Sequence, residues 1–286
     1  MLFFGFGFSA SELAPRLLTE GWRVIGTVRT EEKAERIATL GVEPILFDGT
    51  TPAPHLAEAI AEATHAVQSI APGEDGDAIL AHHETDIRTS QSLGWIAYLS
   101  TIGVYGDHKG AWIDETAELR PTHPRAKRRV AAEATWRTLG RETGKIVMVF
   151  RLAGIYGPGR NQMEQIRRGT ARRIIREGQV FNRIHVSDIA SALEGAIAHP
   201  VPDGVYNVAD DCPAPPDEVV AYAASLLGVA PPPEIPFEQA DLSPMGRSFY
   251  GEVKRTRNDR LKQDFDLSLA FPDYKSGLSA ILAGER

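Results

Sequence analysis

Short apolar runs alternate along the first half of the chain with stretches in which apolar residues recur at helical spacing. Such runs are typical of strands buried on both faces of a sheet, and the stretches between them are typical of amphipathic helices. The pattern predicts strands at Leu2–Phe4, Trp22–Thr27, Glu43–Phe47, His65–Ile70, Gly94–Ser100 and Lys145–Phe150. It predicts helices at Ser9–Glu20, Glu31–Leu40, Pro54–Ala63, Gly76–Ser90 and Pro124–Thr143. This alternation predicts an α/β protein with a doubly wound parallel sheet, the Rossmann arrangement.

Residues 161–286 are less regular, and they predict a smaller C-terminal α/β lobe that is partly intertwined with the domain formed by residues 1–160. The pattern there predicts a basic helix at Gln162–Glu177 and a helix at Asp217–Leu227, and it sets apart the segments Phe181–Ile189 and Val205–Val208. A further helix is expected after Asp188, whose carboxylate is a natural N-cap.

The turn after the first predicted strand has the sequence Gly5-x-Gly7-x-x-Ala10 and leads into a predicted helix. Gly5 permits a tight turn, Gly7 lets the backbone approach a pyrophosphate, and a small residue at position 10 lets the helix pack closely on the strand. The pyrophosphate would lie at the helix N-terminus, where the dipole favours anions. The pattern predicts that residues 5–10, namely Gly5, Phe6, Gly7, Phe8, Ser9 and Ala10, bind a dinucleotide, although they could merely form a tight turn.

The charge of the chain is unevenly distributed. The net charge is −7, yet residues 120–176 contain fifteen Lys or Arg and only three Asp or Glu, which is net +12 and leaves −19 for the remainder. We therefore expect a local anion site in an acidic protein that is not a nucleic-acid binder. A lone cysteine, Cys212, in a Pro-flanked loop fits a reducing cytoplasmic setting and argues against a catalytic thiol. No apolar run is long enough to predict a membrane span.

Four further segments are similar to motifs of the extended short-chain dehydrogenases/reductases, the epimerase/dehydratase type. They are Tyr98–Gly106 (YLSTIGVYG), Arg151–Gly159 (RLAGIYGPG), Arg183–Ala190 (RIHVSDIA) and Val205–Ala209 (VYNVA). The resemblance covers nearly the whole chain and implies a nicotinamide cofactor bound by the domain formed by residues 1–160.

One departure from that family concerns its Tyr-x-x-x-Lys pair, in which the Lys lowers the pKa of the Tyr so that the phenol can exchange a proton with substrate. Aligning on Ala131–Glu133 places Arg125 and Arg129 at these two positions, and no Tyr lies between Tyr105 and Tyr156. Arginine cannot shuttle a proton near neutral pH. The chain therefore resembles atypical members that keep the cofactor fold and lack the catalytic Tyr.

The resemblance also places residues around the cofactor. Arg29 and Thr30 follow the second strand, where an NAD enzyme would place a carboxylate on the ribose 2′-hydroxyl, and residues 21–30 contain no Asp or Glu. These residues could accept a 2′-phosphate, so we expect NADP, with NAD left open because Glu31 follows closely. Asp48 would lie near the adenine or else form an exposed turn. The segment of Ser69, Ile70 and Ala71 would line the ribose at the sheet's carboxyl edge.

Candidate catalytic and substrate-binding residues carry structural alternatives. Ser100 and Thr101 end the fifth strand, where relatives use a hydroxyl on the substrate, but they could cap the following turn. Tyr105 could replace the missing acid or be a packed loop aromatic. Arg125 and Arg129, on one helix face, could bind an anion or face solvent. Arg172 and His185 are implied to contact substrate, although the arginines at 168–176 could form a solvated helix face.

A cluster of His82, His83, Glu84 and Asp86 superficially suggests a metal, but its spacing does not fit a metal site, so none is expected. We therefore expect an NADP-dependent oxidoreductase or epimerase that acts on an anionic, nucleotide-sugar-like metabolite. The alternative is a non-catalytic NADP-binding protein that senses redox state or regulates a partner. Homodimerisation through Ala131–Trp136 is implied by the family, although these residues could simply pack on the sheet.

Overall fold

A computed structural model of the chain describes residues 1–285. These residues form two compact units, each assembled from three segments. The first unit contains Met1–Thr101, Pro124–Arg151 and Ala190–Tyr206, and the second contains Ile102–His123, Leu152–Ile189 and residues 207–285. The division of the chain at residue 160 remains a prediction.

The strands within residues 1–285 are β1 Leu2–Phe4, β2 Ile25–Val28, β3 Glu43–Leu46, β4 His65–Gln68, β5 Trp95–Thr101, β6 Trp112–Ile113, β7 Ile146–Leu152, β8 Gly154–Tyr156, β9 Arg173–Ile175, β10 Arg183–His185, β11 Val205–Val208, β12 Glu234–Pro236 and β13 Arg255–Thr256. The helices are α1 Phe8–Thr19, α2 Glu31–Ala38, α3 Pro54–Glu62, α4 Ala78–Thr89, α5 Pro124–Thr143, α6 Gln162–Arg167, α7 Val186–Ala198, α8 Pro216–Leu227, α9 Pro244–Tyr250, α10 Asp259–Asp264 and α11 Tyr274–Gly284.

The central sheet has seven strands in the order β11-β7-β5-β4-β1-β2-β3, which confirms the predicted doubly wound Rossmann fold. β1 pairs in parallel with β2 on one side and with β4 on the other. The chain therefore builds β1, β2 and β3 outward and then returns to the opposite side of β1. In open α/β sheets, this reversal leaves a crevice at the carboxyl ends of the strands, where ligands bind.

Burial explains why the strands read as continuous apolar runs. Every residue of β1 is buried, as is every residue of β5 except its last, because helices cover both faces of the sheet. Trp136 of α5 is fully buried with Leu2, Ile96 and Tyr98 in the core of this unit. Helix α5 therefore packs on the sheet through Trp136. This is the packing role that the sequence offered as the alternative to a dimer contact.

The second unit contains three short parallel pairings, β8 with β10, β9 with β12 and β6 with β13. One apolar cluster of this unit joins Tyr156, Met163, Val219 and Leu278. None of the helices formed by residues 1–285 is both long and apolar enough to cross a membrane.

Two predictions in this unit are wrong. The basic helix expected over Gln162–Glu177 ends at Arg167, because Gly169 adopts a φ of +67° that is incompatible with a helix, and the chain then enters β9. Asp188 is not an N-cap, since α7 already begins at Val186. Its carboxylate instead accepts the backbone N–H groups of Ala270 and Phe271, at 2.7 and 3.1 Å.

Candidate functional site

The turn after β1 is fixed from both sides of Gly5. This residue has a φ of +89°, and a Cβ atom there would lie 2.9 Å from Ile70 Cγ1 and from Ser69 Oγ. Its N–H donates to Thr27 Oγ1 at 2.7 Å, and its carbonyl accepts from Ser69 Oγ, also at 2.7 Å. Only glycine fits this position, and its backbone orientation is set by two hydroxyl groups on the neighbouring strands.

Gly7 leaves the N-terminus of α1 uncovered. It is the N-cap residue, it is exposed, and no side chain caps the helix there. A Cβ on Gly7 would meet no atom within 4 Å. By contrast Phe6, Ser9 and Ala10 are buried, so any ligand at this turn would be held mainly by backbone groups.

A pocket of about 310 Å³ lies beside the carboxyl ends of β2 and β3, and we call it the β2–β3 pocket. Its lining residues are Arg29, Glu31, Leu46, Phe47, Asp48, Thr51 and Ala53. The Asp48 carboxylate accepts the N–H and the hydroxyl of Thr50, and these bonds hold the pKa of Asp48 below its usual value. Thr30, in contrast, uses its hydroxyl as the N-cap of α2, accepting the N–H of Lys33. The pocket thus combines an apolar wall with one cation and two carboxylates.

The end of β4 is held by a buried polar network. Ile70 N–H donates to Gln68 Oε1 at 2.9 Å, and Gln68 Nε2 donates to both carboxylate oxygens of Asp77. Trp136 Nε1 donates to the same carboxylate at 2.9 Å. Every buried polar group in this chain of contacts therefore has a partner, which fixes the segment of Ser69, Ile70 and Ala71 beside the glycine turn.

The carboxyl end of β5 differs from the sequence-based expectation at Ser100. The Ser100 hydroxyl donates to Glu133 Oε1 at 2.5 Å, and the other oxygen of Glu133 pairs with Arg151 Nη2 at 2.8 Å. All three residues are buried. Thr101, the next residue along the strand, points to the opposite face and is half-buried. Ser100 thus takes part in a buried ion-pair cluster. Of the two hydroxyl groups at the end of β5, that of Thr101 is the less buried.

The two arginines at the Tyr and Lys positions have different surroundings. Arg129 Nη1 donates to the Leu99 carbonyl at 2.8 Å and to the Tyr98 hydroxyl at 3.2 Å. Burial raises the pKa of Tyr98 to about 12, and Arg129 opposes that rise, so Tyr98 is a neutral core residue. Arg125 lies one turn earlier in α5 and is exposed. One arginine thus ties α5 to β5, and the other is open to solvent.

In the second unit, the structure buries two of the predicted site residues. Tyr105 is fully buried and its hydroxyl donates to Asn207 Oδ1 at 2.7 Å, as expected of a packed loop aromatic. His185 is 5% exposed, its Nδ1 accepts the N–H of Ser187, and its ring packs against Tyr156 and Phe271. A substrate contact by His185 needs an exposed ring, so this geometry assigns the residue a packing role instead.

Arg172 lies in the loop before β9 rather than on a helix. Its guanidinium donates to the carbonyl of Asp241, and its side chain therefore anchors a loop of the second unit. The expected arc of arginines on one helix face is wrong, because the helix ends before Arg172.

Thr27, Gln68 and Asp77 were not singled out from the sequence. Their roles depend on contacts with Gly5, Ile70 and Trp136, which lie between two and 59 positions away in the chain. A hydroxyl in the middle of β2 is the one signal that could have pointed to Thr27.

Comparison with known proteins identifies the family. A sequence profile of the NAD dependent epimerase/dehydratase family matches residues 5–209. Protein YeeZ of Escherichia coli (strain K12) is 27% identical over 239 residues, which cover 80% of this chain and 84% of YeeZ.

Two solved structures have a similar fold. That of a functionally unknown conserved protein from Silicibacter pomeroyi DSS is 46% identical, with a TM-score of 0.90 and coverage of 99% of this chain and 98% of that one. That of dTDP-glucose 4,6-dehydratase from Bacillus anthracis str. Ames, in complex with NAD, is 17% identical, with a TM-score of 0.79 and coverage of 99% and 94%. The second likeness concerns the fold alone. The profile spans most of the chain, including the glycine turn, and the chain therefore belongs to the NAD dependent epimerase/dehydratase family.

Proposed function

We propose that the chain binds a nicotinamide dinucleotide along the carboxyl edge of its sheet. The observation that carries the proposal is the glycine turn, in which Gly5 is locked at a positive φ and Gly7 leaves open space at an uncapped helix N-terminus. The pyrophosphate would accept backbone N–H groups of residues 8–10, where the helix dipole favours an anion, since the N–H of Gly7 already donates to the Gly5 carbonyl at 3.0 Å. The adenosine would enter the β2–β3 pocket against Leu46 and Phe47, and Ser69, Ile70 and Ala71 would line the nicotinamide ribose.

The cofactor we propose is NADP. Arg29 lines the pocket and can pair with a 2′-phosphate through two N–H groups. Lys33 is a further cation close to Arg29: burial lowers the pKa of its ammonium, and repulsion from Arg36 and Arg29 lowers it further. Glu31 and Asp48 also line the pocket and would disfavour a phosphate, so the choice between NADP and NAD depends on Arg29.

Calorimetric titration with NADPH and, separately, with NADH tests this choice. We expect tighter binding of NADPH and a loss of about tenfold for NADPH alone in Arg29→Ala, the scale of one charge-assisted pair. Arg36→Ala is the matched control, because Arg36 is an exposed cation of α2 that does not line the pocket. If Arg29→Ala weakened both nucleotides equally, the assignment of Arg29 to a 2′-phosphate would fail.

For the reaction, we propose an oxidoreductase or epimerase that acts on an anionic, nucleotide-sugar-like metabolite. Held by the glycine turn and the β2–β3 pocket, the cofactor would supply a hydride acceptor for a carbinol carbon of the substrate, and the proton of that hydroxyl would pass to water. Neither Arg125 nor Arg129 can accept that proton near neutral pH. Ser100 and Tyr105 are buried and donate their hydroxyl protons to internal acceptors. We assign Thr101 to the substrate because it is the least buried of the three candidate hydroxyls.

The anionic substrate would be held by Arg125, which is exposed on the first turn of α5. Arg129 would act in a different way, by holding α5 against the Leu99 carbonyl. Reduction of NADP⁺ by a panel of nucleotide sugars and other anionic sugars tests the reaction. We expect Thr101→Val to reduce turnover while nucleotide binding is kept, and Arg125→Ala to raise KM more than it lowers kcat.

A second candidate is a non-catalytic NADP-binding protein that reports redox state to a partner. It is favoured by the commitment of two predicted catalytic hydroxyls, those of Ser100 and Tyr105, to internal hydrogen bonds. Such a protein must bind NADPH and NADP⁺ with different affinities, because a ligand can shift an equilibrium only by its differential affinity. Turnover of any substrate would exclude this candidate.

A further inference from the structure

Helix α4 is kinked at a pair of adjacent histidines. His83 has a φ of −133° and a ψ of 15°, which are not helical, although the helix continues on both sides of it. The residue is only 1% exposed, whereas His82 is half-buried. Within residues 1–285, no group of three or more His, Cys, Asp or Glu side chains could hold a metal ion, so the pair needs another explanation.

The hydrogen bonds of the two rings show what they hold. His82 Nε2 lies 3.0 Å from the carbonyl of Gly49, so this nitrogen must donate. The N–H of Ala53 donates to His83 Nε2 at 3.2 Å, so this nitrogen must accept. The proton of neutral His83 is therefore on Nδ1, which lies 2.8 Å from Asp86 Oδ2. One histidine is a donor and its neighbour an acceptor, and each holds one backbone group of residues 49–53.

Residues 47–53 form one wall of the β2–β3 pocket, through Phe47, Asp48, Thr51 and Ala53. Both histidine rings contact Phe47 edge-on, with ring centroids 6.3 and 5.6 Å from it. The wall also approaches α4 closely, since a Cβ on Gly49 would lie 3.1 Å from Ala78 Cβ. The kink thus lets two consecutive imidazole rings contact the same loop, His82 at Gly49 and His83 at Ala53.

We propose that His82 and His83 are positioning residues that fix the 47–53 wall and thereby set the affinity of the pocket for the adenosine end of the cofactor. The proposal rests on the proposed function of the pocket. A loop fixed before binding loses less conformational entropy when the ligand orders it, and both histidines act through that loop rather than by touching the nucleotide.

Substitutions at the two positions separate this role from simple packing. His83→Leu keeps an apolar side chain in the core but removes the acceptor for Ala53, and His83→Gln restores an acceptor at nearly the same place. His82→Leu and His82→Gln make the same pair of changes for the donor to Gly49. The matched control is His55→Leu, because the His55 side chain is 85% exposed on α3.

The experiment is titration of each folded variant with NADPH and with 2′,5′-ADP, which contains only the adenosine end. We expect both Leu variants to weaken both ligands about tenfold and both Gln variants to recover most of that loss, while His55→Leu is unchanged. Should His83→Leu fail to fold, the less buried residue of the pair still decides, through His82→Leu compared with His82→Gln. Unchanged affinity in the Leu variants, or Gln variants as weak as the Leu variants, would overturn the proposal. If the unsubstituted chain bound neither ligand, it is the proposed function of the pocket that would fail.

Discussion

The glycine turn after β1 and the carboxyl end of β5 lie on the same sheet but differ in what their hydrogen bonds leave open. At the turn, Thr27 and Ser69 fix Gly5, while Gly7 stays exposed beside a helix without a side-chain cap. At the end of β5, Ser100 donates into a buried pair formed by Glu133 and Arg151. The backbone groups of the turn are therefore left uncovered, whereas the hydroxyl of Ser100 is already hydrogen-bonded to Glu133 inside the protein.

The two regions correspond to two parts of the family's reaction, the binding of the cofactor and the transfer of a proton. Binding a dinucleotide needs a turn of fixed backbone shape, and that part is retained here. Proton transfer needs a group whose pKa lies near the working pH, and the arginines at positions 125 and 129 cannot supply it. The family match includes the glycine turn, so it supports the cofactor end of the site. It gives less support to proton transfer, because Arg125 and Arg129 stand where the family has its Tyr and Lys.

The largest expected effect is loss of the buried pair at the end of β5. Removing Glu133 leaves the guanidinium of Arg151 buried without its partner, so Glu133→Ala should lower the free energy of unfolding by about 3–5 kcal/mol. Urea denaturation measures it. Glu142→Ala is the control on the same helix, since that carboxylate forms an exposed pair with Arg88 that should contribute less than about 1 kcal/mol. Equal effects for the two variants would mean that the buried pair is not a structural element.

Asp210 of the second unit is a contrasting buried acid, because among residues 1–285 it forms no ion pair like that of Glu133 with Arg151. Burial raises the pKa of Asp210 from 3.8 to about 8, against smaller effects of Cys212 N–H and Arg183 that lower it. Between these two values the folded state holds a proton that the unfolded chain releases. Stability from this group therefore falls as pH rises through that range.

Asp210→Asn cannot ionise and should lack this fall. The difference in unfolding free energy between the variant and the original chain should grow by up to about 1.4 kcal/mol per pH unit from about pH 5 to about pH 8. Chemical denaturation at several pH values measures it. A constant difference over that range would show that Asp210 is already ionised in the folded protein.

The glycine turn is tested by adding one methyl group where the fold has room for it. Gly7→Ala meets no atom within 4 Å, so the melting temperature should be nearly unchanged, while affinity for NADPH should fall about tenfold because the methyl occupies the approach to the pyrophosphate. Gly94→Ala is the control, since that glycine precedes β5 at the opposite edge of the sheet and has no neighbour closer than 4.0 Å. Full affinity in Gly7→Ala would place the nucleotide elsewhere.

A further pair of variants separates the adjacent hydroxyls at the end of β5. Ser100→Ala removes one hydrogen bond to a carboxylate and should lower stability by about 1–3 kcal/mol without changing nucleotide affinity. Thr101→Val should change stability less and act on turnover. Denaturation and turnover measured on both variants test the distinction, and a reversed pattern would make Ser100 the residue that meets substrate.

The fold was predictable because strand burial produces a pattern that local sequence retains. The bounds of β1 and α5 agree with the predicted ones, and the parallel, doubly wound sheet follows from the alternation of strands with helices. The failures were local. Periodicity alone extended α6 through Gly169, although glycine at positive φ ends a helix, and Asp188 looked like a cap because the start of α7 could not be located from the sequence.

The candidate site was predictable only where one short segment builds it. Residues 5–10 carry their own signature, but the partners of Gly5 lie on two other strands. From the sequence, His82 and His83 suggested only a metal site whose spacing did not fit, until the fold showed that they face residues 49–53. Long-range contacts of this kind have no spacing rule in the sequence, which is why the positioning residues had to be found in the structure.

The most direct test of the account is calorimetric titration of the unsubstituted chain with NADPH and with NADH. We predict saturable binding at one site per chain, with NADPH the tighter ligand. The absence of saturable binding by either nucleotide would mean that the turn at Gly5 is only a structural connection between β1 and α1, and it would contradict the central claim that the cofactor end of the site has been retained.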